Sequence, residues 1–231
     1  MKRVLLKLSG EALAGEKKTG FDEETVLGVG RQVKQLIDQG IQVGIVIGGG
    51  NFWRGRTSEN IDRTKADQIG MLATVMNCIY VSELFRSLGM KTAVLTPFEC
   101  GSFTKLYSKD RANKYFGKNM VVFFAGGTGH PYFSTDTATV LRAVEIEADV
   151  ILLAKAVDGV YDSDPKKNPE ARRFDEISIQ QVIDEKLAVV DLTASIMCME
   201  QKMPMYVFAL SEENSIVNAM SGNFNGTKVL V

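Results

Sequence analysis

Apolar residues recur along the chain in two different periods, and the pattern predicts strands and helices in alternation. Short apolar runs, typical of buried strands, occupy 3–8, 41–47, 92–95, 120–124, 149–153, 205–209 and 228–231. Apolar residues at helical spacing occupy 23–38, 62–88, 108–116, 135–147, 176–186, 193–202 and 212–220. Asp22 and Gly40 flank the first long helical segment, where they are typical start and stop signals.

This alternation predicts an α/β fold with a mostly parallel sheet and helices on both of its faces. Right-handed crossovers bring the carboxyl ends of the parallel strands to one edge of such a sheet, and ligands bind there in open sheets. The residues directly after each strand are therefore the candidate functional residues. The chain of 231 residues contains no internal repeat or polar linker, which favours a single domain.

Glycine-rich turns follow three of the predicted strands. They are Lys7-Leu8-Ser9-Gly10, Gly48-Gly49-Gly50-Asn51 and Ala125-Gly126-Gly127-Thr128-Gly129-His130. Glycine lets a backbone approach a ligand closely and turn its N–H groups toward an anion, and a helix that begins near Thr135 adds the positive end of its dipole. One such turn is typical of any tight strand-to-helix connection, but three at one edge predict a phosphate-binding site.

The best-known nucleotide motifs do not fit these turns. Residues 10–17 resemble a Walker A loop, yet Glu16 precedes the lysine and Lys18 follows it in place of Ser or Thr. The G-x-G-x-x-G fingerprint fails because Trp53 and Tyr132 stand where its final glycine belongs. An NAD-dependent oxidoreductase is therefore disfavoured.

Two cations lie where they can meet phosphate oxygens. Lys7 is embedded in an apolar strand that we expect to be central, and a lysine is seldom buried without a partner. Arg54 comes four residues after Gly50 and can make bidentate contacts to phosphate. The alternatives are a lysine whose charged end reaches solvent and an exposed arginine.

Composition narrows the classes of protein. The 27 Lys and Arg residues are balanced by 28 Asp and Glu residues, which disfavours a nucleic-acid or anionic-membrane partner. His130 is the one histidine, so no multi-histidine metal site exists. Cys78, Cys100 and Cys198 are far apart and form no disulfide framework. With no signal peptide and no membrane-spanning segment of ~20 apolar residues, we expect a cytoplasmic protein.

Together these motifs resemble those of the bacterial uridylate (UMP) kinases, within the amino-acid-kinase superfamily. The resemblance runs through the whole chain and is carried by the three glycine turns with Arg54, by Asp67, and by the segments 70–77, 127–136, 145–149 and 157–165. It implies a three-layer α/β/α sandwich, a homohexamer, and Mg²⁺ brought with ATP. The implied activity is transfer of the ATP γ-phosphoryl group to UMP, giving UDP and ADP, in pyrimidine nucleotide biosynthesis.

The resemblance also implies roles for individual residues. The implied acceptor-nucleotide part is roughly 1–150, and the ATP part is roughly 151–231. ATP binding is implied for Lys7, Leu8, Ser9, Gly10, Gly50, Arg54, Lys155, Tyr161 and Asp164. UMP binding is implied for Gly49, Asp67, Thr128, Gly129, His130, Pro131, Tyr132, Phe133, Ser134 and Thr135. Catalytic roles are implied for Lys7, Arg54 and Asp136, with no separate protein metal site. Lys155 departs from the family pattern, in which Thr or Asn is common.

Two alternatives stay open at this point. The first is a kinase of the same superfamily that phosphorylates a carboxylate or a carbamate. The second is a non-catalytic protein that binds nucleic acid or senses nucleotides, suggested by the mixture of bases and aromatics at 105–118. The Met and aromatic residues within 70–88 exceed what one core requires, so we expect part of that helix to form a subunit interface.

Overall fold

The computed structural model of the chain describes residues 1–17, 19–53 and 60–231, and strands and helices alternate through them. The strands are β1 Arg3–Leu8, β2 Gln42–Ile47, β3 Lys91–Thr96, β4 Lys105–Leu106, β5 Met120–Phe124, β6 Val150–Lys155, β7 Val160–Tyr161, β8 Arg173–Phe174, β9 Glu176–Ser178, β10 Met205–Ala209 and β11 Gly226–Leu230. The α-helices are α1 Gly10–Leu13, α2 Glu23–Asp38, α3 Arg63–Ser87, α4 Lys109–Phe116, α5 Thr135–Glu145, α6 Ile179–Asp184, α7 Leu192–Gln201 and α8 Ser215–Ser221.

Within the described ranges, nine strands form one sheet in the order β4-β3-β5-β2-β1-β6-β10-β11-β9. Every pair of neighbours is parallel except β10 and β11, which run antiparallel. The chain leaves β1 toward β2 on one side and later crosses to β6 on the other side. The prediction that Lys7 lies on a central strand is therefore confirmed, because β1 is flanked by β2 and β6.

Helices cover both faces of the sheet. One apolar core lies beneath α2, α3 and α8, and includes Val33, Phe85 and Ile216. The other lies beneath α4, α5, α6 and α7, and includes Val140 and Cys198. Because a layer of helices packs on each side of the sheet, the strands are buried on both faces. This burial accounts for their nearly continuous apolar sequences. The predicted three-layer α/β/α sandwich is confirmed.

Side-chain caps explain where the six helices α2 to α7 begin. In each of them a Ser or Asp side chain accepts a hydrogen bond from a backbone N–H of the first turn. The capping residues are Asp22 (α2), Asp62 (α3), Ser108 (α4), Ser134 (α5), Ser178 (α6) and Asp191 (α7). Two of these caps, Ser134 and Asp191, also contribute to the site described below.

Several boundaries differ from the sequence prediction. Residues 176–186 were expected to be one helix, but 176–178 pair with β11 as strand β9, and the helix begins only at Ile179. The predicted helix at 212–220 begins at Ser215 instead. The pattern did not predict α1, β4 or the small antiparallel pair β7–β8. Each of these elements is four residues or shorter, too short to show a period.

Helix α3 is apolar on two sides. Its inner side chains, among them Ala73, Cys78 and Phe85, are buried against the sheet. By length and composition alone this helix could also cross a membrane, a property that core helices of globular proteins share. Here its inner face covers the sheet, so its apolar length is explained without a membrane.

The aromatic residues of the basic stretch at 105–118 face inward. Phe116 is buried, and the Tyr107 ring packs edge-on against Phe124 with the Arg142 guanidinium 3.9 Å from its centroid. These rings belong to the protein core and are not displayed as a stacking surface for bases. The contacts favour the structural interpretation of this stretch over the nucleic-acid alternative.

The three cysteines are free thiols. Burial raises the pKa of Cys198 to about 12, and it raises the pKa of Cys78 as well. Both therefore stay protonated at neutral pH, as buried structural cysteines do.

Candidate functional site

The candidate site lies at the carboxyl ends of the central strands. The turn after β1 leads into α1, with the Ser9 side chain accepting a hydrogen bond from the Ala12 N–H at 3.4 Å. The turn after β2 lies beside it, because the Gly48 N–H donates to the Leu8 carbonyl oxygen at 3.0 Å. The two glycine turns are thus adjacent, as the sheet edge predicts.

Gly10 is required by this close approach. A Cβ atom at Gly10 would lie 2.4 Å from the Gly48 carbonyl oxygen and 2.4 Å from Asn51 Oδ1. The second turn is itself fixed by a reciprocal pair of amides, in which Asn77 Nδ2 donates to Asn51 Oδ1 at 2.7 Å and Asn51 Nδ2 donates to Asn77 Oδ1 at 3.1 Å. Asn77 Nδ2 also lies 2.6 Å from the Gly48 carbonyl oxygen. The Asn residues of the family motifs therefore have a structural role here.

The predicted acceptor residues surround a cavity of about 270 Å³. Of the residues predicted for UMP, the cavity is lined by Gly49, Asp67, Thr128, His130, Phe133, Ser134 and Thr135. Gly129, Pro131 and Tyr132 belong to the same turn without lining the cavity. Gly50, predicted for ATP, also lines the cavity. Trp53, Arg63 and Thr74 also line the cavity, although the sequence pattern did not predict them as site residues.

The turn after β5 is anchored to α3 and shaped by glycine. Its Gly126 N–H donates to Thr74 Oγ1 at 2.8 Å. Gly126 has φ of 80°, and a Cβ there would lie 2.8 Å from the Phe98 ring. Glycine is therefore the residue that fits this left-handed position. The anchored turn forms one wall of the cavity.

The first turn of α5 borders the cavity. Ser134 and Thr135 line it, and Ser134 Oγ accepts hydrogen bonds from the N–H groups of Asp136 at 3.0 Å and Thr137 at 3.2 Å. The amino end of this 11-residue helix carries the positive end of its dipole, which favours an anion at this wall of the cavity.

A group of three charges lies directly beside the cavity. Lys7 Nζ lies 2.9 Å from Asp136 Oδ1, and the two side chains are 11% and 23% exposed. Lys155, at the end of β6, donates a hydrogen bond to the Val189 carbonyl oxygen. Burial lowers the pKa of Lys155; the nearby Asp136 carboxylate opposes this effect and Lys7 adds to it. Two cations and one carboxylate therefore meet at this edge, leaving an excess of positive charge.

Asp191 links the start of α5 to the start of α7. Its carboxylate accepts hydrogen bonds from the Ser134 hydroxyl and, at 3.1 Å, from the Thr137 hydroxyl. It also caps α7 by accepting from the Ala194 N–H at 2.9 Å. Asp191 was not among the residues predicted for the site, although an Asp directly before a helix is a capping signal.

A second cavity of about 520 Å³ is lined by Val157, by residues 159–166 and by residues 185–188. It contains Tyr161 and Asp164, both predicted for the adenosine side. The Tyr161 hydroxyl donates to Asp158 at 2.7 Å, and Arg173 binds the same carboxylate at 2.7 Å. Burial favours a higher pKa for Asp158, but these hydrogen bonds hold the pKa below its ordinary value.

The structure locates most of the other residues predicted to bind the ATP phosphates. Lys7, Ser9 and Gly10 lie at the sheet edge beside the charged group. Leu8 is fully buried in the core, so only its backbone faces the turn. Arg54, predicted as a phosphate ligand and catalytic residue, lies outside the described residues. All these roles stay predictions.

Comparisons with a family model and with solved structures point the same way. A family model described as the amino acid kinase family matches residues 2–209. The structure is similar to that of UMP kinase from Ureaplasma parvum, with 34% identity, a TM-score of 0.95, and coverage of 100% of this chain and 99% of the other. It is similar to UMP kinase from Bacillus anthracis, with 34% identity, a TM-score of 0.95 and coverage of 99% and 96%. Uridylate kinase from Archaeoglobus fulgidus matches with 27% identity, a TM-score of 0.74 and coverage of 99% and 100%.

Proposed function

The chain belongs to the amino acid kinase family, and from that premise we propose that it is a UMP kinase, which transfers the γ-phosphoryl group of ATP to UMP and releases UDP and ADP. The observation that carries the proposal is the continuity between the acceptor cavity and the charged group. Thr135 lines the cavity, and the next residue, Asp136, is paired with Lys7. A nucleotide in this cavity would hold its phosphate beside Lys7.

The acceptor residues suit a nucleoside monophosphate. The Asp67 carboxylate can accept hydrogen bonds from ribose hydroxyls, whereas the amino end of α5 and the backbone at Gly49 suit the phosphate. A phosphate monoester has a second pKa of about 6 and is largely dianionic at neutral pH. It needs no general base, so His130 lines the cavity without having to accept a proton.

The donor nucleotide is assigned to the other side of the charged group. The adenosine would occupy the cavity at Tyr161 and Asp164, and the phosphates would extend toward Lys7, Ser9 and Gly10. We therefore propose that one domain holds both nucleotides: roughly 1–150 would hold UMP and roughly 151–231 the adenosine of ATP, whose phosphates would reach the turn after β1.

Phosphoryl transfer asks the protein mainly for positioning and for charge stabilisation. Lys7 and Lys155 offset the repulsion between two polyanions, and Asp136 holds Lys7 in place. Mg²⁺ bound to the ATP phosphates would neutralise further charge. The donor set fits that ion, since Mg²⁺ in such sites takes one or two carboxylates together with substrate phosphates, and Asp136 supplies one. Among the described residues no group of three or more His, Cys, Asp or Glu forms a separate metal site.

A homohexamer in the cytoplasm completes the proposal. The outer face of α3 exposes Ile69, Leu72, Met76 and Ile79, with Leu72 51% and Met76 50% exposed. An apolar strip on the outside of a core helix is a candidate subunit contact. Light scattering of the purified chain tests this part, and a monodisperse monomer would contradict it.

The activity is tested by measuring ADP release from ATP with a panel of acceptors: UMP, CMP, aspartate, glutamate and carbamate. The proposal predicts fast release with UMP and slow release with the others. Release that is fastest with a carboxylate or with carbamate would support the alternative kinase and contradict the proposal.

A further inference from the structure

Two donors converge on one oxygen of the Asp67 carboxylate. The Nε–H of Arg63, one helical turn earlier on α3, donates to Asp67 Oδ2 at 2.8 Å. The backbone N–H of Tyr132 donates to the same Oδ2 at 2.8 Å. The carboxylate is therefore held through Oδ2, and Oδ1 takes part in neither of these two bonds.

Tyr132 is held in an uncommon conformation at this point. Its φ is 73°, in the left-handed region, which is unfavourable for a residue with a side chain. Its ring lies beside Arg63, with the guanidinium carbon 5.3 Å from the ring centroid. The contacts with Asp67 and Arg63 offset this unfavourable backbone conformation, so the position of Tyr132 depends on both residues.

Arg63 also offsets the negative charge that the Asp67 carboxylate brings to the cavity. UMP brings a dianionic phosphate into a space that Asp67 lines with a carboxylate. The ion pair with Arg63 offsets that negative charge. It also occupies Oδ2, so that Oδ1 can accept a hydrogen bond from a ribose hydroxyl, which is a donor.

We propose that Arg63 is a positioning residue for the acceptor sugar: it orients Asp67 so that Oδ1 reads the ribose hydroxyls, and it holds Tyr132 at the edge of the cavity. This inference rests on the proposed function, since it takes UMP as the acceptor. If Arg63 orients Asp67 in this way, recognition of the ribose hydroxyls depends on both residues.

The single tryptophan gives a direct readout of acceptor binding. Trp53 lines the cavity, and its indole N–H donates to the Ala66 carbonyl oxygen at 2.8 Å. Its fluorescence can follow titration with UMP or with 2′,3′-dideoxy-UMP in the absence of ATP. The affinity ratio of these two ligands measures recognition of the hydroxyls alone.

The experiment compares the wild type with Arg63→Met, Arg63→Lys and the matched control Lys65→Met. Lys65 is an exposed cation of the same helical turn that does not line the cavity. We expect the wild type to prefer UMP by about tenfold, as a hydrogen bond to a charged group allows. The preference should fall to about one in Arg63→Met, fall partly in Arg63→Lys, and stay unchanged in Lys65→Met.

Kinetics separate positioning from a purely structural role. Arg63→Met should raise the KM for UMP about tenfold and leave kcat at saturating UMP within about threefold, because the interaction is with the bound acceptor. An unchanged preference in both Arg63 variants would overturn the inference alone. Failure of the wild type to bind UMP would overturn the proposed function together with it. If Arg63→Met does not fold, Arg63→Lys carries the test, since lysine lacks the Nε–H donor.

Discussion

Lys7 and Asp136 form an ion pair, with 2.9 Å between Lys7 Nζ and Asp136 Oδ1, that joins the end of the central strand to the first turn of α5. The pair is only partly exposed, so solvent screens it less than it screens a surface pair. Lys7 is fixed in advance at the place where the proposed mechanism brings two polyanions together. Preorganised charge of this kind stabilises a transition state without reorganisation during the reaction.

Replacing Lys7 by Ala is expected to reduce kcat by about 10²–10³-fold, the usual loss for one preorganised group in a transition state. The KM for UMP should change by less than about threefold, because the acceptor is held mainly elsewhere. Steady-state kinetics with both nucleotides varied provide the measurement. Equal losses in turnover and in UMP binding, or no loss, would contradict an electrostatic role.

Replacing Asp67 by Ala is expected to raise the KM for UMP about tenfold, as loss of a hydrogen bond to a charged group implies. The KM for ATP should stay nearly constant, because Asp67 lines the acceptor cavity. The same kinetic measurement checks both values. A change confined to ATP would mean that the two nucleotides are assigned to the wrong cavities.

Replacing Asp191 by Ala should affect both folding and turnover. The variant loses a helix cap and removes the carboxylate that accepts from the Ser134 and Thr137 hydroxyls, so we expect the free energy of unfolding to fall by about 1–3 kcal/mol. Because Ser134 also begins the helix that carries Asp136, kcat should fall about tenfold as well, a positioning effect of the size that small displacements produce. Urea unfolding and steady-state kinetics measure the two effects.

The matched control is Ser178→Ala, which removes the cap of α6 and is expected to cost about 1 kcal/mol. Ser178 lines neither of the two proposed nucleotide cavities. Its turnover should therefore be unchanged. If Asp191→Ala alters kcat no more than this control does, Asp191 acts only on stability.

Lys155 should make stability depend on pH in a defined direction. Burial lowers its pKa below the ordinary value of 10.5, so the folded chain releases this proton before the unfolded chain does. Over the pH range just below 10.5 the unfolded state binds more protons, and stability rises with pH. Urea unfolding at several pH values should show the wild type gaining stability relative to Lys155→Met as pH increases in that range. A difference that stays constant or falls would contradict this expectation.

Replacing Gly10 by Ala should disturb the two glycine turns. The new methyl group would lie 2.4 Å from the Gly48 carbonyl oxygen, a backbone atom that cannot rotate away. We expect a loss of about 1–3 kcal/mol in the free energy of unfolding, the usual range for overpacking. Gly28→Ala serves as the control, because a Cβ there meets nothing within 4 Å. Equal stability of the two variants would show that the turn can adapt.

The layers of the fold could be predicted from the sequence, because most of the chain consists of segments whose apolar residues recur with a clear helical or strand pattern. Segments such as 23–38 and 120–124 have the predicted bounds. The strand at 176–178 was missed because it is short and runs directly into α6, so the two periods merge. Its identity depends on pairing with β11, a partner about 50 residues away in the sequence.

For the site, the sequence indicated the edge of the sheet but not the contacts between side chains. Glycine turns identified the region, and the family motif identified Asp67. Arg63 stands at i−4 from Asp67, a spacing that permits an ion pair and could have been noticed. The bond between Asp191 and Ser134 could not have been predicted, since it joins two helix starts that only the tertiary fold brings together.

The other predictions depend on one activity, the transfer of a phosphoryl group from ATP to UMP. It is tested most directly by incubating the purified protein with ATP labelled in its γ-phosphate, Mg²⁺ and UMP, and by separating the nucleotide products. We expect label in the β-phosphate of UDP, in an amount equal to the ADP formed, and a much slower appearance of that label with Lys7→Ala. Label that appears only as inorganic phosphate, or that stays in ATP, would contradict it.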